Sequence, residues 1–219
     1  MLEIDSVSLS FWGRSVLAGC YLHCSPGEVV GLLGRNGCGK SSLLKIIFGT
    51  LKADFKHLRI DGHIIPKGYL TGQIAYLPQQ HFMLPFLRVS EIIQTFSPLI
   101  KEGLLAEELI AAGMNKRLSE LSNGQQRFLE CLWTLSRDVK YVLLDEPFSA
   151  IAPIQIEFLQ RMIVETGRSK AVILTDHIYR PLIAVSSRVV LLHNNAVYNI
   201  QSAEDLIRYK YIPDVAITA

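Results

Sequence analysis

A chain of 219 residues, 49% hydrophobic and 19% charged with a formal charge of +2, has the make-up of an ordinary globular domain, large enough for one well-packed core with a smaller lobe. Its near-neutral balance argues against nucleic acid as a partner held by bulk charge, and no apolar run approaches the roughly 20 residues of a membrane-spanning helix. The four cysteines, Cys20, Cys24, Cys38 and Cys131, form no C-x-x-C pair and read as reduced thiols.

The N-terminal run MLEIDSVSLSF alternates and carries acids where a signal peptide has a basic and then a long apolar segment. Leu2 to Phe11 and Ala18 to Cys24 therefore read as strands of an antiparallel portion, with Ser25-Pro26-Gly27 turning into Val29. Asp61-Gly62 marks another hairpin turn. Val29 to Leu33, Ile74 to Leu77, Tyr141 to Leu144, Ala171 to Leu174 and Val189 to Leu192 are short, nearly continuous apolar runs. Strands of that kind are covered on both faces, which predicts a mainly parallel α/β sheet.

Between Arg88 and Ser119 the texture turns helical, with stripes of Val89, Ile92, Ile93 and Phe96 and of Leu104, Leu105, Leu109 and Ile110. Residues 88–119 are thus predicted to form a helical sub-lobe, and 1–87 with 120–219 the core of a single domain. Asn194-Asn195 reads as a turn, and Ser202 with Asp205 as a capping box opening a last helix.

The run Gly34-Arg35-Asn36-Gly37-Cys38-Gly39-Lys40-Ser41 fits G-x-x-x-x-G-K-S/T and lies directly between the strand VVGLL and the apolar helix SLLKIIF. Its glycines let backbone amides wrap a phosphate chain at a helix N-terminus, Lys40 reaches the terminal phosphates, and the Ser41 hydroxyl is a ligand for magnesium. Cys38, beside Lys40 at that N-terminus, is predicted to have a lowered thiol pKa. YVLLDEP ends an apolar strand in Asp145, placed to hold the magnesium shell, and Glu146, placed to orient or deprotonate a water. Gln79 after IAYLP and His177 after AVILTD come at the same strand edge. LSNGQ, Leu121 to Gln125, is a polar turn heading the amphipathic helix that starts at Asn123.

Phosphate loop, YLPQ, LSNGQ, LLDEP and TDH follow one another over nearly the whole chain, and this order resembles the ATP-binding cassette ATPases, the nucleotide-binding subunits of ABC transporters. Within them, DEPFSAIAP with TDH and a short tail most resembles the lipopolysaccharide-export and branched-chain amino acid ATPases. The resemblance implies a P-loop NTPase fold with an antiparallel β subdomain, ATP and Mg2+ as ligands, and two cassettes, copies or paralogues, packed head to tail. ATP would be bound by Gly34 through Lys40, Ser41, Ser42 and Gln79, with an aromatic before Gly13 stacking on adenine, Trp12 first and Phe11 in reserve. Mg2+ would be held by Ser41, Gln79 and, through water, Asp145. Glu146 would be the catalytic carboxylate, and His177 the γ-phosphate sensor beside Lys40. Leu121, Ser122, Asn123, Gly124 and Gln125 would close over the partner's ATP.

A separate integral membrane permease is the implied partner, which would place the chain on the cytoplasmic face of a membrane. The alternative is a soluble cassette serving an assembly such as an iron-sulfur scaffold. Two positions depart from the family pattern. Asn123 stands for a glycine, which bears on dimer closure if positive φ is needed there, and Ala152 stands for an aspartate that helps couple the two sites.

Overall fold

The computed structural model describes residues 1–106 and 113–212, with backbone alone at 105–106. Leu109, Ile110 and the side chain of Leu105 lie outside the described residues.

The long N-terminal strands β1 (Leu2–Phe11) and β2 (Arg14–Cys24) form a hairpin across Trp12-Gly13. Both turn residues have positive φ, 47° and 79°, the twist a two-residue hairpin requires. β3 (Val29–Leu33) then enters a second sheet and runs into α1 (Lys40–Phe48). β4 (Phe55–Ile60) and β5 (His63–Ile64), joined at Asp61-Gly62, complete an antiparallel sheet ordered β2-β1-β4-β5.

The remaining strands are β6 (Ile74–Leu77), β7 (Tyr141–Asp145), β8 (Ala171–Thr175), β9 (Arg188–His193) and β10 (Ala196–Ile200). With β3 they form a sheet ordered β10-β9-β3-β8-β7-β6. All its pairings are parallel except β9 with β10, which turn back through Asn194-Asn195. Every residue of β3, β7 and β8 is buried, as their unbroken apolar character demands.

The helices are α2 (Val89–Gln94), α3 (Pro98–Ala106), α4 (Asn123–Ser136), α5 (Pro153–Gly167), α6 (Tyr179–Val185) and α7 (Ala203–Arg208). Alternate strand residues divide the core in two. Leu32, Leu143 and Ile173 pack with Leu43, Leu44, Ile46 and Ile47 of α1 and with the antiparallel sheet. Leu33, Val142, Leu144 and Leu174 face α4, α5 and the stripe of Val89, Ile92, Ile93 and Phe96. Ser202 does precede α7, but its hydroxyl does not cap it; the Asp205 carboxylate instead accepts from the Gln201 amide at 2.9 Å.

Register is what builds the site. Leu32 of β3 and Asp145 of β7 are both paired with Thr175 of β8, and Leu77 of β6 with Leu144. The loops after these four strands therefore leave one edge of the sheet together, carrying Gly34, Glu146, His177 and Gln79.

Candidate ATP site

Between β3 and α1 the chain turns on Gly34, Gly37 and Gly39, with φ of 157°, 77° and 113°. A Cβ at Gly39 would also press on Val16 and Leu17 of β2, so the loop is seated against the antiparallel sheet. Lys40 is only 6% exposed. Its ammonium donates to the Gly34 and Arg35 carbonyls at 2.8 and 3.2 Å, which spans the loop; the Cys38 amide also donates to Arg35, and the glycine-rich turn at a helix N-terminus suits an anion.

Asp145 is fully buried and accepts from the Ser41 hydroxyl at 2.9 Å and the Tyr76 phenol at 3.2 Å. Burial pushes its carboxyl above the ordinary range, against the pull of both hydroxyls. Oxygen donors of this kind fit Mg2+, which takes few protein ligands and keeps waters and phosphates as the rest.

Glu146 lies in the left-handed region, φ 55°, a conformation costing an ordinary residue roughly 1 to 2 kcal/mol. Its amide donates to Thr175 at 2.7 Å, and its carbonyl accepts from Arg127. Held so, its carboxylate accepts from Gln79 Nε2 at 3.1 Å and lies 3.7 Å from His177 Nδ1. His177 is steadied by buried Asp176, whose carboxylate lies 3.4 Å from its Nδ1 and accepts from the Phe148 and Ile178 amides. Burial pushes the Asp176 carboxyl up as well.

A cleft of about 550 Å³ joins these groups, lined by Phe11, Val16, Asn36, Gly37, Gly39, Lys40, Ser41, Ser42, Gln79, Glu146 and His177. Phe11 lines it and Trp12 does not: left-handed at the hairpin tip, Trp12 projects fully into solvent. Arg35 also turns away, donating to the Lys210 carbonyl at 2.9 Å. Cys38 belongs to a neighbouring hollow with Arg35, His193, Tyr209 and Tyr211. The prediction for its thiol is reversed, because burial outweighs the Lys40 charge and raises the pKa.

Leu121 to Gln125 do not line this cleft. Ser122 caps α4, accepting from the Gln125 amide at 3.3 Å while Gln125 Oε1 accepts from the Ser122 amide at 3.0 Å. Ser122, Asn123 and Gln125 are exposed and Gly124 is buried. Asn123 is the first helical residue, without positive φ, so the condition attached to the missing glycine does not arise. Gly124 is the position that needs to be glycine, since a Cβ there would fall on the Ala150 carbonyl oxygen.

Sequence reasoning passed over Tyr76, Asp176, Arg127 and Glu130. Arg127 left a signal: three residues after Gly124 and four before Cys131, it falls on the buried face of α4.

Sheet, phosphate loop and converging strand-end groups together define a nucleotide-binding P-loop cassette. A family model described as ABC transporter matches residues 17–149. The chain belongs to the ABC transporter family, as one of its ATP-binding proteins. It is 32% identical over 206 residues to an uncharacterized ABC transporter ATP-binding protein of Haemophilus influenzae, covering 89% of this chain and 82% of that protein. To the lipopolysaccharide export system ATP-binding protein LptB of Acidithiobacillus ferridurans it is 28% identical over 225 residues, covering 94% and 92%. In fold it matches the ATP-binding subunit of an ABC transporter at TM-score 0.80, with 24% identity over 96% of this chain and 93% of that one. A dimeric bacterial cassette matches at 0.77, with 21% identity over 92% and 100%.

Proposed function

We propose that this chain hydrolyses ATP as one of two cassettes packed head to tail, and that the pair drives a separate membrane permease. The observation that carries the reading is the convergence of Gln79, Glu146 and His177 beside the phosphate loop, with Glu146 within 3.1 Å of Gln79 and 3.7 Å of His177.

In this reading Lys40 and the loop amides hold the phosphates, and Phe11 flanks the base. Ser41, Asp145 and Gln79 would hold Mg2+, which supplies charge neutralisation at the phosphates. Glu146 orients the attacking water and accepts its proton, and His177 donates to the γ-phosphate as charge develops there. The exposed Ser122 and Asn123, outside the chain's own cleft, suit a second copy whose ATP they would cover.

Glu91, Ile92 and Thr95, from the segment taken as the helical sub-lobe, line an apolar groove of about 380 Å³ with Phe82, Met83, Leu84, Leu87 and Trp133. It begins three residues beyond Gln79, with Phe82, Leu84 and Phe86 exposed, and is assigned as the permease-docking surface. Among the described residues no helix is long and apolar enough to cross a membrane.

The test is Glu146→Gln. Steady-state turnover should fall on the order of 100-fold or more, while ATP still binds and a dimer accumulates on size exclusion. Undiminished hydrolysis refutes the role of Glu146. Purification in detergent should bring down a polytopic membrane protein; recovery with soluble partners alone contradicts the transport role.

A further inference from the structure

Arg127 is 3% exposed, and its guanidinium is spent on backbone. Nη1 donates to the Pro78 carbonyl at 2.5 Å, Nη2 to the carbonyls of Asp145 and Glu146, and Nε to that of Glu146 at 3.2 Å. These carbonyls belong to the two loops that carry Gln79 and Glu146. One turn along α4, the Glu130 carboxylate accepts from the Phe82 and Met83 amides at 2.9 and 3.2 Å and pairs with His81 Nδ1 at 2.9 Å. The segment from Pro78 to Met83 is thus gripped at both ends by one helix face.

We infer that Arg127 is the positioning residue for hydrolysis: its fork fixes the peptide after Glu146 and the peptide before Gln79, and so sets the aim of both side chains at the water. The inference rests on the proposed role of Glu146. The Glu146 backbone is left-handed, φ 55°, and its amide is already held by Thr175. With its carbonyl released the peptide is free to relax toward the right-handed region, carrying the carboxylate off Gln79. A lysine keeps the charge but has no planar fork to reach three carbonyls. Arg127 does not line the cleft, so metal-free nucleotide should bind with or without it. Because α4 begins at the turn of Leu121 to Gln125, the same side chain joins the surface proposed to cover the partner's ATP to the chain's own reacting groups.

The experiment compares Arg127→Met, Arg127→Lys and Glu146→Gln by single-turnover and steady-state ATP hydrolysis, ADP titration and thermal unfolding. With Glu146→Gln inactive, Arg127→Met should lose on the order of 100-fold in kcat, the scale of an ångström's misplacement. ADP affinity should stay within about twofold of the parent, and Arg127→Lys should also be impaired. A fully active Arg127→Met or folded Arg127→Lys overturns the inference alone. So does loss of kcat in step with loss of ADP affinity and melting temperature, the mark of a merely structural arginine. If Arg127→Met does not fold, the same readouts on Arg127→Lys decide. An active Glu146→Gln removes the site reading beneath it.

Discussion

Gly124 packs so closely under Ala150 that a methyl group at 124 would overlap the Ala150 carbonyl oxygen. Helix α4 and the loop after the acid pair are therefore in direct backbone contact, and that contact gives the first prediction. Gly124→Ala must displace a backbone, and its cost should be about 1 to 3 kcal/mol in urea unfolding. Asn123→Gly, at an exposed helical position, should cost only about 0.5 kcal/mol and leave ATPase activity near that of the parent. A marked gain in turnover from Asn123→Gly would show that the asparagine restrains closure.

Phe11 lines the cleft and Trp12 does not, although the two are adjacent. Stacking of a base on an aromatic ring is worth about 1 to 3 kcal/mol, so Phe11→Ala should raise the Kd for ATP about tenfold. Trp12→Asn should leave that Kd unchanged and stabilise the turn, since asparagine accepts the left-handed conformation better than tryptophan. Fluorescent-nucleotide titration and thermal melts of both variants check this, and the opposite pattern of affinities would return the role to Trp12.

Asp145 has a folded pKa above its unfolded value because it is buried. Between the ordinary carboxylate range and the raised value, the folded chain holds more protons than the unfolded chain, so this group's contribution to stability falls as pH rises through that window. Asp145→Asn should therefore be more stable than the parent at neutral pH, with an advantage that vanishes below about pH 4, while magnesium-dependent hydrolysis is lost. Urea midpoints of both proteins measured across pH give the difference directly. A pH-independent difference would mean that burial of the charge is not its source.

Ala152 is the N-cap of α5 and makes no side-chain cap bond ahead of Pro153. Ala152→Asp supplies an acceptor for the first-turn amides and a charge favourable to the helix dipole, about 1 kcal/mol together. The urea midpoint should rise accordingly. If the carboxylate also restores the coupling that the family resemblance implies, the Hill coefficient for ATP will rise with it.

The phosphate loop was legible because its chemistry is local: eight consecutive residues contain the turn, the cation and the hydroxyl. The placement of Asp145 and Glu146 at the sheet edge was legible because a fully apolar strand ends in those two acids. The choice between Phe11 and Trp12 was not, since it depends on which residue takes the left-handed place in a hairpin, and no periodicity records that. Arg127 was hidden by its own charge, because a buried arginine makes sense only once distant carbonyls are known to need it. Cys38 misled for a related reason: sequence shows the neighbouring lysine and the helix N-terminus, but not the burial that outweighs them.

Arg35 of the phosphate loop reaches the Lys210 carbonyl across 175 positions of sequence, and Tyr211 lines one hollow with Arg35 and Cys38 of that loop. Contacts so distant in sequence carry a high loop-closure cost and are slow to form. During synthesis, then, the phosphate loop emerges well before this support for it, which follows 175 positions later. Nucleotide protection against proteolysis, followed on nascent chains of increasing length, would thus report when the Lys210 segment has docked on the loop.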